Sequence, residues 1–295
     1  MEVKKDSARA WLLATRPKTL SGAAVPVMIG LALAWADDAA LFSPLAAVLC
    51  LLFAFIMQID ANLVNDLFDF LKGTDDTATR LGPQRACAQG WVSVKSMKVA
   101  IAITTIVACL VGLPLAFMAG WQMVLVGVAC VLFCFLYTTH FSYMGLGDVL
   151  VLVFFGLVPV CMTYYVQLHC FTTQVLVASL ACGLVIDALL FVNNFRDRDT
   201  DHKAGKKTIV VRIGPYASLV AYLCLGMVAC GAGIVFWLNN HPWAALLPLL
   251  YLLLHVLTAM KMKRIWQGSE LNRCLGETAR NIFVYGVTVA LGLLL

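Results

Sequence analysis

Charge is what this chain has least of. Asp, Glu, Lys and Arg make up 13% of its 295 residues, about half the share of a soluble domain. With 62% of the residues hydrophobic, an ordinary soluble domain is excluded and an integral membrane protein is expected. No Cys-x-x-Cys pair occurs among the eleven cysteines. Most of them (Cys50, Cys109, Cys130, Cys134, Cys161, Cys182, Cys224, Cys230) lie inside apolar runs, where cysteine acts as a small hydrophobe, so a zinc or disulfide framework is not expected. No low-complexity linker interrupts the chain, which reads as a single membrane-embedded domain over 1–295. No small-residue cleavage site follows the basic N-terminal tail (Lys4, Lys5, Arg9, Arg16, Lys18), so the tail reads as a cytoplasmic anchor rather than a signal peptide. The net charge of +5 is split among separate segments. That distribution argues against nucleic acid and suits anionic lipid or a diphosphate.

What is present in abundance is apolar sequence. Runs of roughly 17–25 residues, enough to cross a bilayer, recur at about 20–36, 43–64, 97–117, 121–140, 148–168, 172–194, 215–238, 242–260 and 277–295. They predict an all-α multi-span protein with nine transmembrane helices. If loops alternate between two sides, the segments 1–19, 65–96, 141–147, 195–214 and 261–276 share one side. All 21 Lys and Arg residues fall there or at the adjoining helix ends. The opposite loops hold Asp37, Asp38, His169, Asn239, Asn240 and His241, with no Lys or Arg. The positive-inside rule then places the N-terminus in the cytoplasm and the C-terminus outside. The 261–276 segment is expected to lie on the membrane surface.

Two acidic clusters stand at the ends of apolar runs and open basic loops. One reads Asn62-Leu63-Val64-Asn65-Asp66-Leu67-Phe68-Asp69, the other Asn193-Asn194-Phe195-Arg196-Asp197-Arg198-Asp199-Thr200-Asp201. Superposing Asn65 on Asn193 also superposes Asp69 on Asp197, which suggests a duplication without establishing one. Residues three and four apart share a helix face, so Asn62, Asp66 and Asp69 align, as do Asn193, Asp197 and Asp201. Oxygen donors suit a hard cation, and Mg²⁺ is commonly held by one or two carboxylates plus substrate phosphates. Lys72, Arg80, Arg85, Lys203, Lys206, Lys207 and Arg212 would offset the remaining phosphate charge. Asp75, Asp76 and Asp199 read equally as a solvated loop face. Asp60 and Asp187 lie deeper, and each could bind an acceptor hydroxyl, take a proton, or be a neutral acid satisfied by a neighbouring helix. A cation transporter would carry acids at mid-membrane on several helices, and a passive lipid-binding protein gives no reason for two Asp faces. The residues alone lead to a membrane protein that handles a diphosphate.

A resemblance leads further. Asn-Asp-x-x-Asp after one helix, and Asn-Asn-x-Arg-Asp-x-x-x-Asp-x-x-x-Gly-Lys-x-Thr after a later one, resemble the UbiA superfamily of intramembrane prenyltransferases. Arg16-Pro17-Lys18-Thr19-Leu20, Leu81-Gly82-Pro83-Gln84-Arg85, Gly145-Leu146-Gly147-Asp148 through Gly156 to Tyr164-Tyr165-x-Gln167, and Asn193 through Gly214 are similar to its naphthoate-prenylating branch. The resemblance implies a nine-helix bundle whose central cavity opens to the cytoplasm, capped by loops at about 65–96 and 195–214. It implies Mg²⁺-dependent transfer from polyprenyl diphosphate to 1,4-dihydroxy-2-naphthoate with loss of CO2, giving demethylmenaquinone after oxidation, in a bacterial inner membrane. No obligate protein partner is implied. Acceptors such as 4-hydroxybenzoate, homogentisate or haem stay open as alternatives.

By the same resemblance Asp66, Asp69, Asp197 and Asp201 are catalytic, and with Asn65, Asn193 and Asn194 they bind the metal. Lys72, Arg80, Arg85, Lys203, Lys206 and Arg212 bind diphosphate. Asn62, Tyr137, Asp148, Tyr164 and Gln167 form the acceptor and carbocation pocket, with Phe154, Phe155 and Tyr165 as further shielding rings. Relatives often carry a Lys-Arg pair after Tyr137-Thr138. Here Thr139 to Met144 has none, and His140 is the available substitute.

Overall fold

The computed structural model describes residues 3–73, 80–141 and 144–295, without the side chains of Lys18, Thr139 and His140. Asp75, Asp76 and His140 as a cation substitute therefore lie outside what is described. Among the described residues there are helices and turns and no strands. In chain order these are α1 (Ala8–Thr15), α2 (Leu20–Asp37), α3 (Pro44–Leu71), α4 (Val94–Ala119) and α5 (Gln122–Leu136), then α6 (Gly147–Leu168), α7 (Thr173–Lys203), α8 (Ile209–Ala232), α9 (Pro242–Ile265) and α10 (Leu271–Leu294).

Seven of the described helices are long and apolar enough to cross a membrane: α2, α3, α4, α6, α7, α8 with its extension to Leu238, and α9. The protein is an integral membrane protein. The sequence predicts nine crossings, but α5 is shorter, at 15 residues, and α10 falls outside the seven.

Helix starts follow side-chain caps. Ser43, Ser93, Thr172 and Thr208 each accept a hydrogen bond from a backbone N–H two or three residues into the helix they precede, satisfying donors that a helix leaves open. Helix ends differ from the sequence expectation. The apolar runs stop near 64 and 194, yet α3 continues to Leu71 and α7 to Lys203. Both stop one or two residues before a left-handed glycine, Gly73 (φ 69°) and Gly205 (φ 72°), the usual helix C-terminal device. The segments expected as loops from 65 and 195 thus begin as helix. At 1.5 Å per residue α3 spans roughly 42 Å and α7 roughly 46 Å, against a hydrocarbon layer of about 30 Å. Their acidic turns therefore have length to spare beyond it. Likewise α8 starts at Ile209 rather than 215, bending at Gly214–Pro215. The expected surface segment 261–276 mostly continues α9 and opens α10.

α2 is the central element and packs against α10, α6, α3 and α7. The α6–α7 approach is set by glycine. A Cβ on Gly156 would lie 2.6 Å from the Ser179 carbonyl and 2.7 Å from the Gly183 Cα, so the two backbones touch. At that point α6 is a π-turn, Leu152–Leu157. Asp60, buried mid-helix on α3, accepts hydrogen bonds from Thr104 and Thr105 of α4. Of the readings open for it, the acid satisfied by a neighbouring helix is the observed arrangement.

Two outcomes test this architecture. Replacing Gly156 with Val should lower stability by about 1–3 kcal/mol, the usual range for overpacking, seen as a lower unfolding midpoint in detergent. An unchanged midpoint would mean that α6 and α7 do not touch there. For topology, Cys170 is exposed while Cys87 and Cys274 are buried, which makes the latter two poor labelling sites. An impermeant thiol reagent on intact cells should label Cys170, and should label an introduced Ser269→Cys only after permeabilisation. The reverse pattern would invert the protein.

Candidate active site

The acidic turns of α3 and α7 face each other across a polar cavity of about 240 Å³. Asn65 and Asp69 enter from α3, and Asn193, Asn194, Asp197 and Asp201 from α7. Arg80, Leu81 and Arg85 supply a third wall, Tyr137 and Thr138 a fourth, and Gly145, Gly147 and Asp148 a fifth. Arg16, Leu190, Arg196, Thr200, Lys206 and Thr208 complete it. Beneath lies an apolar cavity of about 500 Å³ lined by Phe53, Met57, Phe133, Phe154, Phe155 and Met162 among others. Arg16, Asn65, Tyr137, Leu190 and Asn193 line both cavities, so the two meet there.

Each cavity-facing acid of the two clusters has a cation. Asp69 takes Arg85 at 3.0 Å, Asp197 takes Arg196 at 2.6 Å, and Asp201 takes Lys206 at 3.3 Å. The Arg196 contact is two-pronged, from Nε and Nη2, and Nη1 donates to Asn272 of α10 at 2.7 Å. Asn272 in turn donates to the Leu81 carbonyl, and a Cβ on Gly82 would lie 2.7 Å from Arg196 Nη2. The 81–83 segment thus lies against the guanidinium, and a side chain at 82 would have to displace it from Asp197 and Asn272. The Thr138 hydroxyl donates to Asn65.

Several expected site residues have other work. Asp66, 1% exposed, does not line the polar cavity. Its two oxygens accept the backbone N–H groups of Ala86 and Cys87 at 2.8 Å each, and Arg16 approaches to 4.0 Å. It anchors the turn that carries Arg85. Asn62 donates to the Thr15 carbonyl and the Thr19 hydroxyl, joining α3 to the N-terminal segment at the apolar cavity wall. Lys72 donates to the Thr138 carbonyl and Arg212 to the Met144 carbonyl. Neither they nor the exposed Lys203 line the polar cavity.

Tyr164 and Gln167 line neither cavity. They sit 16 and 19 residues along α6 from Asp148, roughly 24 Å and more at the helical rise. There the Tyr164 hydroxyl donates to Asp37 at 2.6 Å, and Gln167 pairs with both backbone groups of Ser43. They fasten the opposite end of the bundle and cannot touch an acceptor held near Asp148. Tyr165 likewise stacks on Phe171. Asp148, Tyr137, Phe154 and Phe155 do face the cavities.

Sequence reasoning assigned no site role to Arg16, Thr138, Arg196 or Thr208, all of which line the polar cavity. Arg196 adjoins Asp197, and neighbours in a helix ordinarily face apart. The signal that existed was its place inside the Asn-Asn-x-Arg-Asp motif.

Residues 23–283 match the UbiA prenyltransferase family. The chain belongs to that family. It is a prenyltransferase with the all-helical UbiA fold, embedded in the membrane. It is 34% identical to 1,4-dihydroxy-2-naphthoate octaprenyltransferase of Escherichia coli strain K12, over 97% of this chain and 96% of that one. A UbiA homologue from Aeropyrum pernix K1 has the same fold, with TM-score 0.69 and 16% identity over 93% of this chain and 96% of that chain. So does a UbiA homologue from Archaeoglobus fulgidus bound to DMAPP and Mg²⁺, with TM-score 0.63 and 16% identity over 95% and 98%.

The two α3 acids should separate experimentally. Asp66→Asn loses one of two backbone acceptors, so stability should fall by about 1–3 kcal/mol, read as a lower unfolding midpoint. Asp69→Asn keeps an amide oxygen for Arg85 but not the charge, so it should lower the midpoint by no more than Asp66→Asn does and reduce turnover at least tenfold. Unchanged stability with abolished turnover in Asp66→Asn would make Asp66 a ligand instead of a loop anchor.

Proposed function

We propose that the protein transfers a polyprenyl group from polyprenyl diphosphate to 1,4-dihydroxy-2-naphthoate, releasing diphosphate and CO2 and yielding the quinol that a separate oxidation converts to demethylmenaquinone. The observation that carries this reading is the junction of a cation-rich polar cavity with a larger apolar one. An amphiphile with a charged head and an isoprenoid tail fits that pairing, with its reacting carbon at the shared residues. The naphthoate follows the name of the Escherichia coli relative and the Gly145–Asp148 and Leu81–Arg85 motifs.

Arg16, Arg80, Arg85 and Lys206 hold the diphosphate as charge-assisted donors. Asn65, Asp69, Asn193, Asn194, Asp197 and Asp201 form an oxygen-only donor set on opposed helix turns, which suits Mg²⁺ held jointly with substrate phosphates. Among the described residues no three Asp, Glu, His or Cys side chains form a metal cage, so this fit rests on donor chemistry and on the diphosphate as co-ligand. Mg²⁺ held by these residues would help neutralise charge developing on the leaving diphosphate. Phe133, Phe154, Phe155 and Tyr137 line the path of the allylic carbon and shield its cation. The apolar walls keep water from quenching it.

Nine crossings with the polar cavity towards the cytoplasm, in a bacterial inner membrane, complete the reading. The one-sided Lys and Arg distribution supports it.

Purified protein given Mg²⁺, a prenyl diphosphate and aromatic acids should prenylate 1,4-dihydroxy-2-naphthoate at least tenfold faster than 4-hydroxybenzoate. One labelled carboxyl carbon should leave as CO2 per transfer, and excess chelator should stop the reaction. Retention of the label, or preference for 4-hydroxybenzoate, would move the protein to another acceptor. Turnover in excess chelator would remove the metal.

A further inference from the structure

One pair of buried acids is used neither by the headgroup site nor by helix packing. Asp148 opens α6 and lines the polar cavity beside Tyr137, Leu190 and Asn193, three of the residues shared with the apolar cavity. Asp187 lies on α7, six residues before Asn193. They are 8% and 5% exposed, and Oδ1 of each is buried without a hydrogen-bond partner. Among the described residues neither carboxylate has an ion pair or a hydrogen bond from another side chain. Gly147, the residue before Asp148, packs on α7: a Cβ on it would lie 3.3 Å from Leu190 and 3.6 Å from the Tyr137 hydroxyl, and Leu190 is three residues from Asp187, on the same helix face. The other interior acids of α3 and α7 are satisfied: Asp60 by two threonines, Asp66 by two amides, and Asp69, Asp197 and Asp201 by cations. Unpaired buried carboxylates are costly, and adjacent ones repel. Asp187 lines neither cavity, so Asp148 is the member at the wall, and an unpartnered buried acid there, with a second one on the facing helix, is a functional candidate.

We propose that Asp148, positioned by Asp187, is the proton acceptor and donor for the aromatic substrate, the pair holding one proton between them. This rests on the naphthoate reading above. The ring hydroxyl beside the substrate carboxylate donates to Asp148. As the C1–O bond of the prenyl diphosphate breaks, its electron pair leaves with diphosphate. The carboxylate-bearing ring carbon forms the C–C bond with a π pair. The O–H pair becomes the second bond of a ring carbonyl, and the proton passes to Asp148. The C–CO2⁻ bond then breaks, its electrons return through the ring to the carbonyl oxygen, and that oxygen recovers the proton from Asp148. No net proton is gained or lost. Asp187, neutral at the start, donates to Asp148 and keeps its free oxygen towards the substrate. Asp148 is catalytic and Asp187 a positioning residue.

The test compares wild type with Asp148→Asn, Asp187→Asn and Asp187→Glu, reading diphosphate release, prenylated naphthoate and prenyl alcohol. Transfer should fall at least 100-fold in Asp148→Asn, within the span of general acid–base effects, and about tenfold in Asp187→Asn, with Asp187→Glu within threefold of wild type. KM for the prenyl diphosphate should stay within twofold, and the prenyl group that is released should emerge as alcohol. Full transfer in Asp148→Asn, or equal loss of diphosphate release and transfer, overturns the proposal. Should that variant not fold, wild type is given the methyl ether of the hydroxyl beside the carboxylate. Slow prenylation of the ether supports the proposal, and turnover equal to the parent overturns it. If wild type prenylates no naphthoate at all, the underlying function has failed instead.

Discussion

A carboxylate beside hydrocarbon must have a donor, and much of the architecture of this site follows from that requirement. Asp66 is held by the amides of Ala86 and Cys87, which fixes the turn that delivers Arg85 to Asp69. Arg196 grips Asp197 and, through Asn272, the Leu81 carbonyl. The 81–87 segment is therefore fastened to α3, α7 and α10 at once. The groups that neutralise the acids are the same groups that build the wall of the cavity. A change at one acid is felt through its neighbours, because breaking a buried pair leaves its partner uncompensated.

Two unlike volumes share a boundary in this protein, and the boundary is made of few residues. Arg16, Asn65 and Asn193 bring polar groups to it, and Tyr137 and Leu190 bring hydrocarbon. The order along an amphiphile, charge then reacting carbon then tail, is matched by the order of the walls. Such pre-arranged surroundings lower a barrier because they need no reorganisation when charge develops.

Much of this was legible in the sequence. Scarce charge gave the membrane class, and the spacing of Asp69, Asp197 and Asp201 gave the facing acids, because periodicity survives folding. Helix ends near 64 and 194 were misplaced because hydropathy marks where lipid ends, whereas Gly73 and Gly205 mark where the helix ends. Asp66 shares the spacing of Asp69, but one residue's rotation decides whether a carboxylate meets a cavity or a backbone turn, and spacing does not encode what packs opposite. Tyr164 and Gln167 sit within the motif that contains Asp148, yet the length of α6 carries them to the other end. Proximity in sequence is a poor guide to proximity in space along a straight rod.

The contact of Gly156 with Gly183 has a consequence for redesign. It ties α6, which carries Asp148, to α7, which carries Asn193 and Asp197, through backbone rather than side chains. The separation between Asp148 and the acidic turn of α7 is thus insulated from side-chain exchange elsewhere. An engineer seeking a different aromatic acceptor has freedom at cavity positions such as Leu150 and Leu189. That freedom ends at the two glycines, where a single added methyl group would push the two halves out of alignment.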